Sequence, residues 1–327
     1  MLRVDTALTY LLGPLLPLWL RLRLQKGKED RTRLRERFGH AGFPRPEGAL
    51  LWVHAASIGE SQSVVPLLEK LAARYPEMSI LLTTVTVTSA KMLEAKLPER
   101  AYHQFAPLDH PRYIRRFLKH WQPDFALWVE SEFWPNTLTL TRASGCRLAL
   151  VNGRLSDDSF HMWQRFRSVI TPVLDCFSLL LAQSEGDAHK LRNLGALNVQ
   201  YLGNLKFDAA PLAADSKAMG EILGKVGDRP VWLAASTHPG EEEQIAAVHQ
   251  QLQEPYPDLL TMIVPRHAPR GKAIAEMLSG MGLKVALRSR EDAIEADTDA
   301  YIADTTGELG IFYRIAGIVF IGGSLVE

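Results

Sequence analysis

Short apolar runs alternate with amphipathic helical patterns from about residue 48 to the end of the chain. The runs predict strands near 50–54, 79–85, 124–129, 147–151, 178–182 and 199–202, and a second series near 231–235, 259–264, 283–287, 300–303 and 318–321. This alternation is typical of parallel sheets whose strands are joined by crossover helices. The sequence therefore predicts an α/β fold with two parallel-sheet domains.

The segment around Pro211 interrupts this rhythm, because Pro211 stands there among small residues. We therefore expect a domain boundary nearby. The predicted division is an N-terminal segment (1–38), a first sheet domain (39–205), a linker (206–228) and a second sheet domain (229–327).

The N-terminal segment places an apolar stretch before a basic one. Residues 6–20 carry no charge, and at about 1.5 Å per residue they extend roughly 22 Å, less than a bilayer core of about 30 Å. Pro14 and Pro17 weaken this stretch further. Eight basic residues follow: Arg21, Arg23, Lys26, Lys28, Arg31, Arg33, Arg35 and Arg37. Anionic lipid headgroups attract such a cluster, so we expect a membrane-surface anchor or a marginal span. The alternative is a helix that packs on its own protein.

Overall charge and cysteine content narrow the range of partners. Lysine plus arginine and aspartate plus glutamate both total 37, so the overall field does not favour nucleic acid. Cys146 and Cys176 lack closely spaced ligand residues, which predicts a reducing compartment and no zinc site. The sequence contains neither the dinucleotide-binding nor the P-loop pattern, and we predict no cofactor.

Residues 50–60 hold the most informative local pattern. An apolar strand runs into small residues, including Ser57 and Gly59, which permit a sharp turn into a helix that begins near Glu60. Ligands bind at the carboxyl ends of parallel strands, so Glu60 is a candidate general base. The alternative is that Glu60 only opens the helix, because acidic residues favour the positive end of a helix dipole.

Polar side chains also follow two later strands of the first series. Two acids and an amide come after the strand at 124–129, namely Glu130, Glu132 and Asn136. Arg154 follows the strand at 147–151, and its planar guanidinium suits a carboxylate or a phosphate. We expect them at the same sheet edge as Glu60. The alternatives are that Arg154 only pairs with one of the acids and that Trp134 belongs to the core.

Helical stretches at 110–121 and 159–167 interleave arginine and lysine with aromatic side chains. This mixture suits a lipid interface or a phosphorylated amphiphile. The alternative is a pair of solvated helix faces, a common origin of such charge patterns.

Loops after the second series of strands suit a phosphorylated ligand. Ser236 precedes a proline and three acids that open a helix, whose free N–H groups could hold a phosphate. The alternative there is a capped helix and nothing more. Arg266 and His267 follow the strand at 259–264 and could neutralise a phosphate diester. Glycines at 322–323 allow a ligand to approach the backbone closely.

The chain resembles the Kdo (3-deoxy-D-manno-octulosonic acid) transferases of Gram-negative lipopolysaccharide synthesis in eight ordered strings: HAASIGE, VESEFWPN, VNGRLS, GNLKFD, AASTHPGEEE, PRHAPR, DTTGELGIFY and FIGGS. The resemblance implies a GT-B glycosyltransferase fold, with two Rossmann-like domains facing a cleft. It implies CMP-Kdo as the donor and a phosphorylated lipid A precursor as the acceptor, met at the cytoplasmic face of the inner membrane.

The resemblance also implies roles for particular residues. Glu60 corresponds to the family's catalytic base, and Glu130 is expected to orient the acceptor or hold Arg154. Expected acceptor-binding residues are Ser57, Gly59, Asn136 and Arg154. Expected donor-binding residues are Ser236, Thr237, His238, Arg266, His267, Gly307, Glu308, Leu309, Gly323 and Ser324. Transfer is expected to invert the anomeric carbon without a metal, while Arg266 and helix N-termini at Ser236 and Thr306 stabilise the departing phosphate.

The chain departs from the family pattern after the Gly-Gly-Ser strand end. In the family a glycine-rich Gly-Gly-His-Asn segment and a ribose-binding glutamate follow, whereas this sequence stops at Glu327. We therefore expect an incomplete donor domain, which brings the activity of this chain alone into question. The alternatives are another GT-B enzyme that uses a UDP-sugar, either a transferase or an epimerase, and an inactive remnant that binds nucleotide or lipid.

Overall fold

A computed structural model describes residues 9–10, 13–93, 96–208 and 211–325. The chain divides into two compact units, Met1–Ala210 and Pro211–Glu327, and each contains its own parallel sheet. This confirms the predicted pair of parallel-sheet α/β domains. Residues 216–226, which we assigned to the linker, form a helix whose Ile222 and Val226 are buried in the second unit.

The first unit is a parallel sheet with helices between its strands. Its strands are β1 (Leu50–His54), β2 (Ser79–Thr84), β3 (Ala101–Phe105), β4 (Phe125–Val129), β5 (Arg147–Gly153), β6 (Phe177–Ala182) and β7 (Val199–Tyr201). Its helices are α1 (Leu16–Gln25), α2 (Ile58–Arg74), α3 (Val87–Leu93), α4 (Pro111–Trp121), α5 (Pro135–Ala143), α6 (Asp157–Arg165), α7 (Arg167–Leu174) and α8 (Glu185–Asn193). The strand order in the described residues is β3-β2-β1-β4-β5-β6-β7.

The order of strands creates a topological switch point beside β1. The chain builds β2 and β3 on one side of β1 and then places β4 on the other side. Strand β1 is buried along its whole length, and its Trp52 packs on Phe117 and Trp128 at ring-centroid distances of 4.8 and 5.2 Å. Open parallel sheets bind ligands where the strand order reverses, so the carboxyl ends of β1 and β4 mark the candidate site.

The N-terminal segment covers β3, the strand at the edge of the sheet. In the 3-10 turn Leu34–Phe38, Glu36 accepts a hydrogen bond from Phe105 N–H at 2.7 Å. Arg33 donates to the carbonyl of His103 at 2.8 Å. These side chains satisfy backbone groups that an edge strand otherwise leaves open. The alternative reading of this segment, packing on its own protein, therefore holds for residues 33–37.

Internal ion pairs occupy three of the eight basic residues that we expected at a lipid surface. Arg23 and Arg37 pair with Glu29 at 2.6 and 3.4 Å, and Arg33 pairs with Glu36 at 2.9 Å. The charges of these three are therefore offset by acids of the same segment. Five others are exposed: Arg21, Lys26, Lys28, Arg31 and Arg35.

Helix α1 nevertheless exposes large apolar side chains, namely Leu18, Trp19 and Leu22, with Leu15 just before it. Leu20, on the same helix, is fully buried. Of the uncharged stretch 6–20, residues 6–8 and 11–12 lie outside the described residues. None of the helices described is both long enough and apolar enough to cross a bilayer.

The second unit repeats the architecture on a smaller scale. Its strands are β8 (Val231–Thr237), β9 (Leu260–Pro265), β10 (Val285–Leu287), β11 (Ala300–Ile302) and β12 (Ile318–Ile321), and its helices are α9 (Ser216–Val226), α10 (Glu241–Leu252), α11 (Gly271–Gly280) and α12 (Leu309–Ile315). The parallel order in the part described is β10-β11-β9-β8-β12. The order reverses at β8, which makes the carboxyl end of β8 the second candidate binding edge.

The sequence patterns missed one strand and merged two helices. Strand β3 was not predicted, because His103 and Gln104 interrupt its apolar pattern; both are buried, and the imidazole of His103 bonds Arg33 and Thr84. The predicted helix at 159–167 is two helices, α6 and α7, which meet at Phe166.

Candidate active site

The Glu60 carboxylate is fixed by the loop that joins β1 to α2. Its Oε2 accepts a hydrogen bond from Ala56 N–H at 2.8 Å, and its Oε1 accepts one from the Ser57 hydroxyl at 2.7 Å. Ser57 is the N-cap of α2 and accepts from Glu60 N–H at 3.4 Å. The pair resembles a capping box, except that the carboxylate bonds the N–H of Ala56, one residue before the N-cap. Glu60 therefore opens the helix, as the alternative held, and also presents a carboxylate at the switch point. The neighbouring Gly59 faces open space.

The surroundings of Glu60 make it easier to protonate than an ordinary glutamate. Burial raises the pKa of its carboxyl, and the charges of Glu130 and Glu132 add to this effect, while the hydrogen bonds from Ser57 and Ala56 partly oppose it. The side chain is nearly enclosed, with the residue 7% exposed. A carboxylate whose pKa lies closer to neutrality is a better proton acceptor.

Glu130 lies at the end of β4, the other strand of the switch point. Its φ is 62°, in the left-handed region that non-glycine residues seldom adopt. Its N–H donates to the carbonyl of Val151 at 3.0 Å. Its Oε1 lies 2.8 Å from Nζ of Lys206, as a close ion pair rather than a directed hydrogen bond. Unusual backbone conformations of this kind cluster at functional sites.

Two indole groups hold the loop between Glu130 and α5. Trp128 Nε1 donates to the carbonyl of Glu132 at 2.5 Å, and Trp134 Nε1 donates to Glu132 Oε2 at 2.8 Å. The ring of His54 lies 4.3 Å from that of Trp128 and 4.7 Å from that of Trp134. Trp134 therefore packs on the core, as its alternative held, and it also fixes a carboxylate near Glu60.

Asn136 and Arg154 lie at the same sheet edge but in different surroundings. Asn136 is buried in the first turn of α5, and its side-chain amide donates to the carbonyl and the carboxylate of Asp109 at 3.2 and 3.3 Å. Arg154 is exposed, and within the described residues its guanidinium forms no ion pair with Glu130 or Glu132. The expected Glu130–Arg154 pair is therefore replaced by Glu130–Lys206.

Two buried glutamates at the start of α10 join the strand ends of the second unit. Glu241 accepts hydrogen bonds from the N–H groups of His238 and Gly323 at 2.8 and 2.7 Å. Burial alone would raise the pKa of Glu241, but these N–H donors and that of Leu325 lower it overall. Glu242 accepts a hydrogen bond from the Thr237 hydroxyl at 2.7 Å. This internal bond occupies the Thr237 hydroxyl, which we expected to bind the donor.

Gly322 lets the end of β12 pack closely against the irregular end of β8. A Cβ at Gly322 would lie 2.6 Å from both the carbonyl oxygen of Ser236 and the Glu241 carboxylate. Ser236 itself has φ 59°. Gly323, with φ 86°, follows directly and is held by Glu241, so the Gly-Gly pair is required by close backbone packing at this edge.

The cations expected at the donor phosphate remain accessible. Arg266 and His267 follow β9 and are both exposed, and the N–H of Arg266 donates to the carbonyl of Thr237 at 3.0 Å. In contrast, Glu308 is paired with Arg288 at 2.6 Å, and this contact lowers its pKa.

A protein-family model described as 3-deoxy-D-manno-octulosonic-acid transferase (kdotransferase) matches residues 32–209. The chain is 37% identical over 327 residues to the 3-deoxy-D-manno-octulosonic acid transferase of Rickettsia bellii, covering 100% of this chain and 78% of that protein. It is 39% identical over 279 residues to the protein of the same name from Rickettsia felis, covering 85% of this chain and 60% of the relative. The chain belongs to the 3-deoxy-D-manno-octulosonic acid transferase family.

Membership of this family confirms the resemblance seen in the ordered motifs and makes the chain a glycosyltransferase. The fold is also similar to that of UDP-GlcNAc 2-epimerase from Neisseria meningitidis, with a TM-score of 0.56 and 13% identity, covering 84% of this chain and 77% of that one. This likeness concerns the fold alone and agrees with the predicted GT-B type. The family match favours Kdo transfer over the UDP-sugar alternatives.

The expected helix N-termini of the Kdo transferase donor site lie elsewhere in the structure. Ser236 belongs to β8, and α10 begins only at Glu241, with three acidic residues in its first turn. Thr306 precedes α12, a helix of seven residues that begins at Leu309. In the part of the chain that the structure describes, no helix begins at Ser236 or Thr306, so the expected helix starts are wrong there. Arg266 and His267 are exposed at the end of β9, and their phosphate role stays a prediction. Ser236, His238, Gly307, Leu309, Gly323 and Ser324 stay predictions as donor ligands.

Sequence reasoning missed the partners that fix these groups. Lys206 lies in the GNLKFD string but was assigned no role, while Arg270 pairs with Glu242 through two contacts of 2.8 and 2.9 Å. These partners are distant in sequence, so no local pattern indicates them. Across the described ranges, no group of three or more His, Cys, Asp or Glu side chains is placed to hold a metal ion.

Proposed function

We propose that the chain transfers Kdo from CMP-Kdo to a hydroxyl group of a lipid A precursor, with Glu60 as the general base. The observation that carries this proposal is the buried Glu60 carboxylate, held by Ala56 and Ser57 at the switch point of the first sheet. Family membership supports the reaction class, and the position and contacts of Glu60 support its proposed role as proton acceptor.

The proposed step is a single displacement. Glu60 removes the proton of the acceptor hydroxyl while that oxygen attacks the anomeric carbon of Kdo. The bond from this carbon to the CMP phosphate oxygen breaks on the opposite face, so the configuration inverts and CMP leaves with the electron pair. The proton remains on Glu60, whose raised pKa favours this transfer.

Arg266 and His267 are proposed to receive the CMP phosphate. Their side chains are exposed at the carboxyl end of β9. Strand β9 pairs with β8, the strand at which the order of the second sheet reverses. A fixed cation at the leaving group stabilises the negative charge that develops as the bond breaks.

Two features of the first unit support an amphiphilic acceptor at the inner membrane. Helix α1 exposes apolar side chains beside Arg21, Lys26 and Lys28. An apolar pocket lies at the start of α5, lined in part by Pro135, Asn136, Met162, Trp163, Phe166 and Val169. Anionic headgroups would meet the basic residues, and acyl chains would meet the apolar surface.

The donor and acceptor are tested by incubating the chain with CMP-Kdo and a lipid A precursor, followed by mass spectrometry of the lipid. The proposal expects a mass gain of one or more Kdo residues and inhibition by CMP more than by UMP. Stronger inhibition by UMP would favour the UDP-sugar alternative. Absence of product together with CMP binding would favour the inactive remnant.

Membrane association is tested by vesicle flotation. Because the ten-residue helix α1 is too short to cross a bilayer and five exposed basic residues lie nearby, binding should require anionic lipid and weaken as salt is raised. Equal binding to neutral vesicles at high salt would contradict a surface attachment of this kind.

A further inference from the structure

Backbone hydrogen bonds shape the segment of the second unit that follows β9. The N–H of Arg266 donates to the carbonyl of Thr237, the last residue of β8, at 3.0 Å. The N–H of Arg270 donates to the carbonyl of His267 at 3.0 Å, which closes the 3-10 turn Ala268–Arg270. Arg266 and His267, the two exposed residues proposed to receive the CMP phosphate, therefore lie between β9 and this turn.

A buried ion pair joins the same turn to the end of β8. Glu242 lies in the first turn of α10 with its side chain 1% exposed, and Arg270 is 26% exposed. Nη1 and Nη2 of Arg270 donate to the two carboxylate oxygens of Glu242 at 2.8 and 2.9 Å. Glu242 Oε1 also accepts the hydroxyl of Thr237 at 2.7 Å. One carboxylate thus connects α10, the end of β8 and the turn after β9.

Stability alone is a weak reason for a pair of this kind. A buried carboxylate has lost its hydration, and replacement of a buried ion pair by apolar side chains is often neutral for stability. A bidentate pair instead fixes direction, because the planar guanidinium of Arg270 meets both oxygens of Glu242 in one orientation. Residues held in place before a ligand arrives lose less conformational entropy when it binds.

We propose that Glu242 and Arg270 are positioning residues of the donor site, which fix the turn after β9 so that Arg266 and His267 face the CMP phosphate. This inference rests on the proposed function, because it takes these two residues as the phosphate ligands. Glu242 and Arg270 do not touch CMP in this account and act through Arg266 and His267.

Removal of the pair should lower the affinity for CMP, because Arg266 and His267 must then be ordered when the ligand binds. Two side chains that become ordered on binding correspond to a loss of about five- to a hundredfold. In a chain that already carries Arg266→Ala and His267→Ala, removal of the pair should change the affinity by less than about twofold. A pair that only stabilised the fold would give the same factor in both backgrounds.

The experiment titrates CMP and follows binding by NMR, which also detects millimolar dissociation constants. The titrated chains are the wild type, Arg270→Met and the double variant Glu242→Met with Arg270→Met, each with and without the two alanine substitutions. Thermal unfolding identifies the folded variants. If Arg270→Met does not fold, the double variant supplies the comparison, because it leaves no unpaired buried charge. Lys284→Met is the matched control, since the ion pair of Lys284 with Asp297 is exposed in the second unit.

A folded variant without the pair that binds CMP within about twofold of the wild type would overturn the positioning role. An equal loss of affinity in both backgrounds would overturn it as well. Failure of the proposed function gives a different result. A wild-type chain that does not bind CMP, or binds it equally well after Arg266→Ala and His267→Ala, would refute the proposed donor site itself.

Discussion

Replacing Glu36 by alanine should destabilise the first unit, because Glu36 joins the N-terminal segment to β3. Its carboxylate accepts Phe105 N–H at 2.7 Å and pairs with Arg33 through contacts of 2.9 and 3.0 Å, and the residue is 5% exposed. An unsatisfied buried N–H costs about 1–3 kcal/mol, and a broken buried ion pair costs about 3–5 kcal/mol. Arg33 is 24% exposed and partly hydrated, so we expect a total near 2–4 kcal/mol.

Urea unfolding followed by tryptophan fluorescence measures this loss. Trp232 is the only tryptophan of the sequence after residue 210, so the signal reports mainly on the first unit. Glu69→Ala is the control, because Glu69 is exposed on α2. A free energy of unfolding within about 0.5 kcal/mol of wild type, the range of ordinary surface substitutions, would refute the attachment of the segment through Glu36.

Three further predictions concern the two candidate sites. Burial raises the pKa of Glu60 in the folded chain above its ordinary value of 4.5, so the folded state binds a proton more tightly than the unfolded state. The stability of the wild type relative to Glu60→Gln should therefore fall as pH rises from 4.5 through the raised pKa. A difference in melting temperature between the two chains that stays constant with pH would contradict this. Arg266→Ala should weaken CMP binding in calorimetry by about ten- to a hundredfold, whereas Arg290→Ala should leave it unchanged, and equal affinities would remove the phosphate role. Gly322→Ala should lower stability by about 1–3 kcal/mol through its clash with the Ser236 carbonyl, and an unchanged melting temperature would contradict that packing.

Local patterns in the sequence were sufficient for every described strand except β3, and for the turn that carries Glu60. A buried strand, a run of small residues and an acid define a strand-to-helix turn within a dozen residues, and the structure has this turn with Ser57 as the N-cap. The position of β4 beside β1 follows from the order of strands, which brings Glu130 to the same edge. These features depend on short-range patterning and on the common topology of parallel sheets.

Features that depend on distant partners could not be predicted in this way. Glu130 pairs with Lys206 instead of Arg154, and the choice depends on a turn that folds back after β7. Likewise, Arg33 and Arg37 look like surface charges in sequence, but both form ion pairs with buried glutamates. Arg33 also donates a hydrogen bond to the backbone of β3. A basic run can serve a lipid surface or an internal network, and only the folded contacts distinguish the two.

The catalytic role of Glu60 is tested most directly by the transfer rate of Glu60→Gln with CMP-Kdo and a lipid A precursor, with Glu69→Gln from the exposed side of the same helix as the control. General bases contribute about a hundred- to ten-thousandfold, so the Glu60 variant should lose at least about 99% of its turnover while it still binds CMP and remains folded. The control should transfer at the wild-type rate. A Glu60→Gln chain that keeps more than about a tenth of wild-type turnover would contradict the assignment of Glu60 as the base.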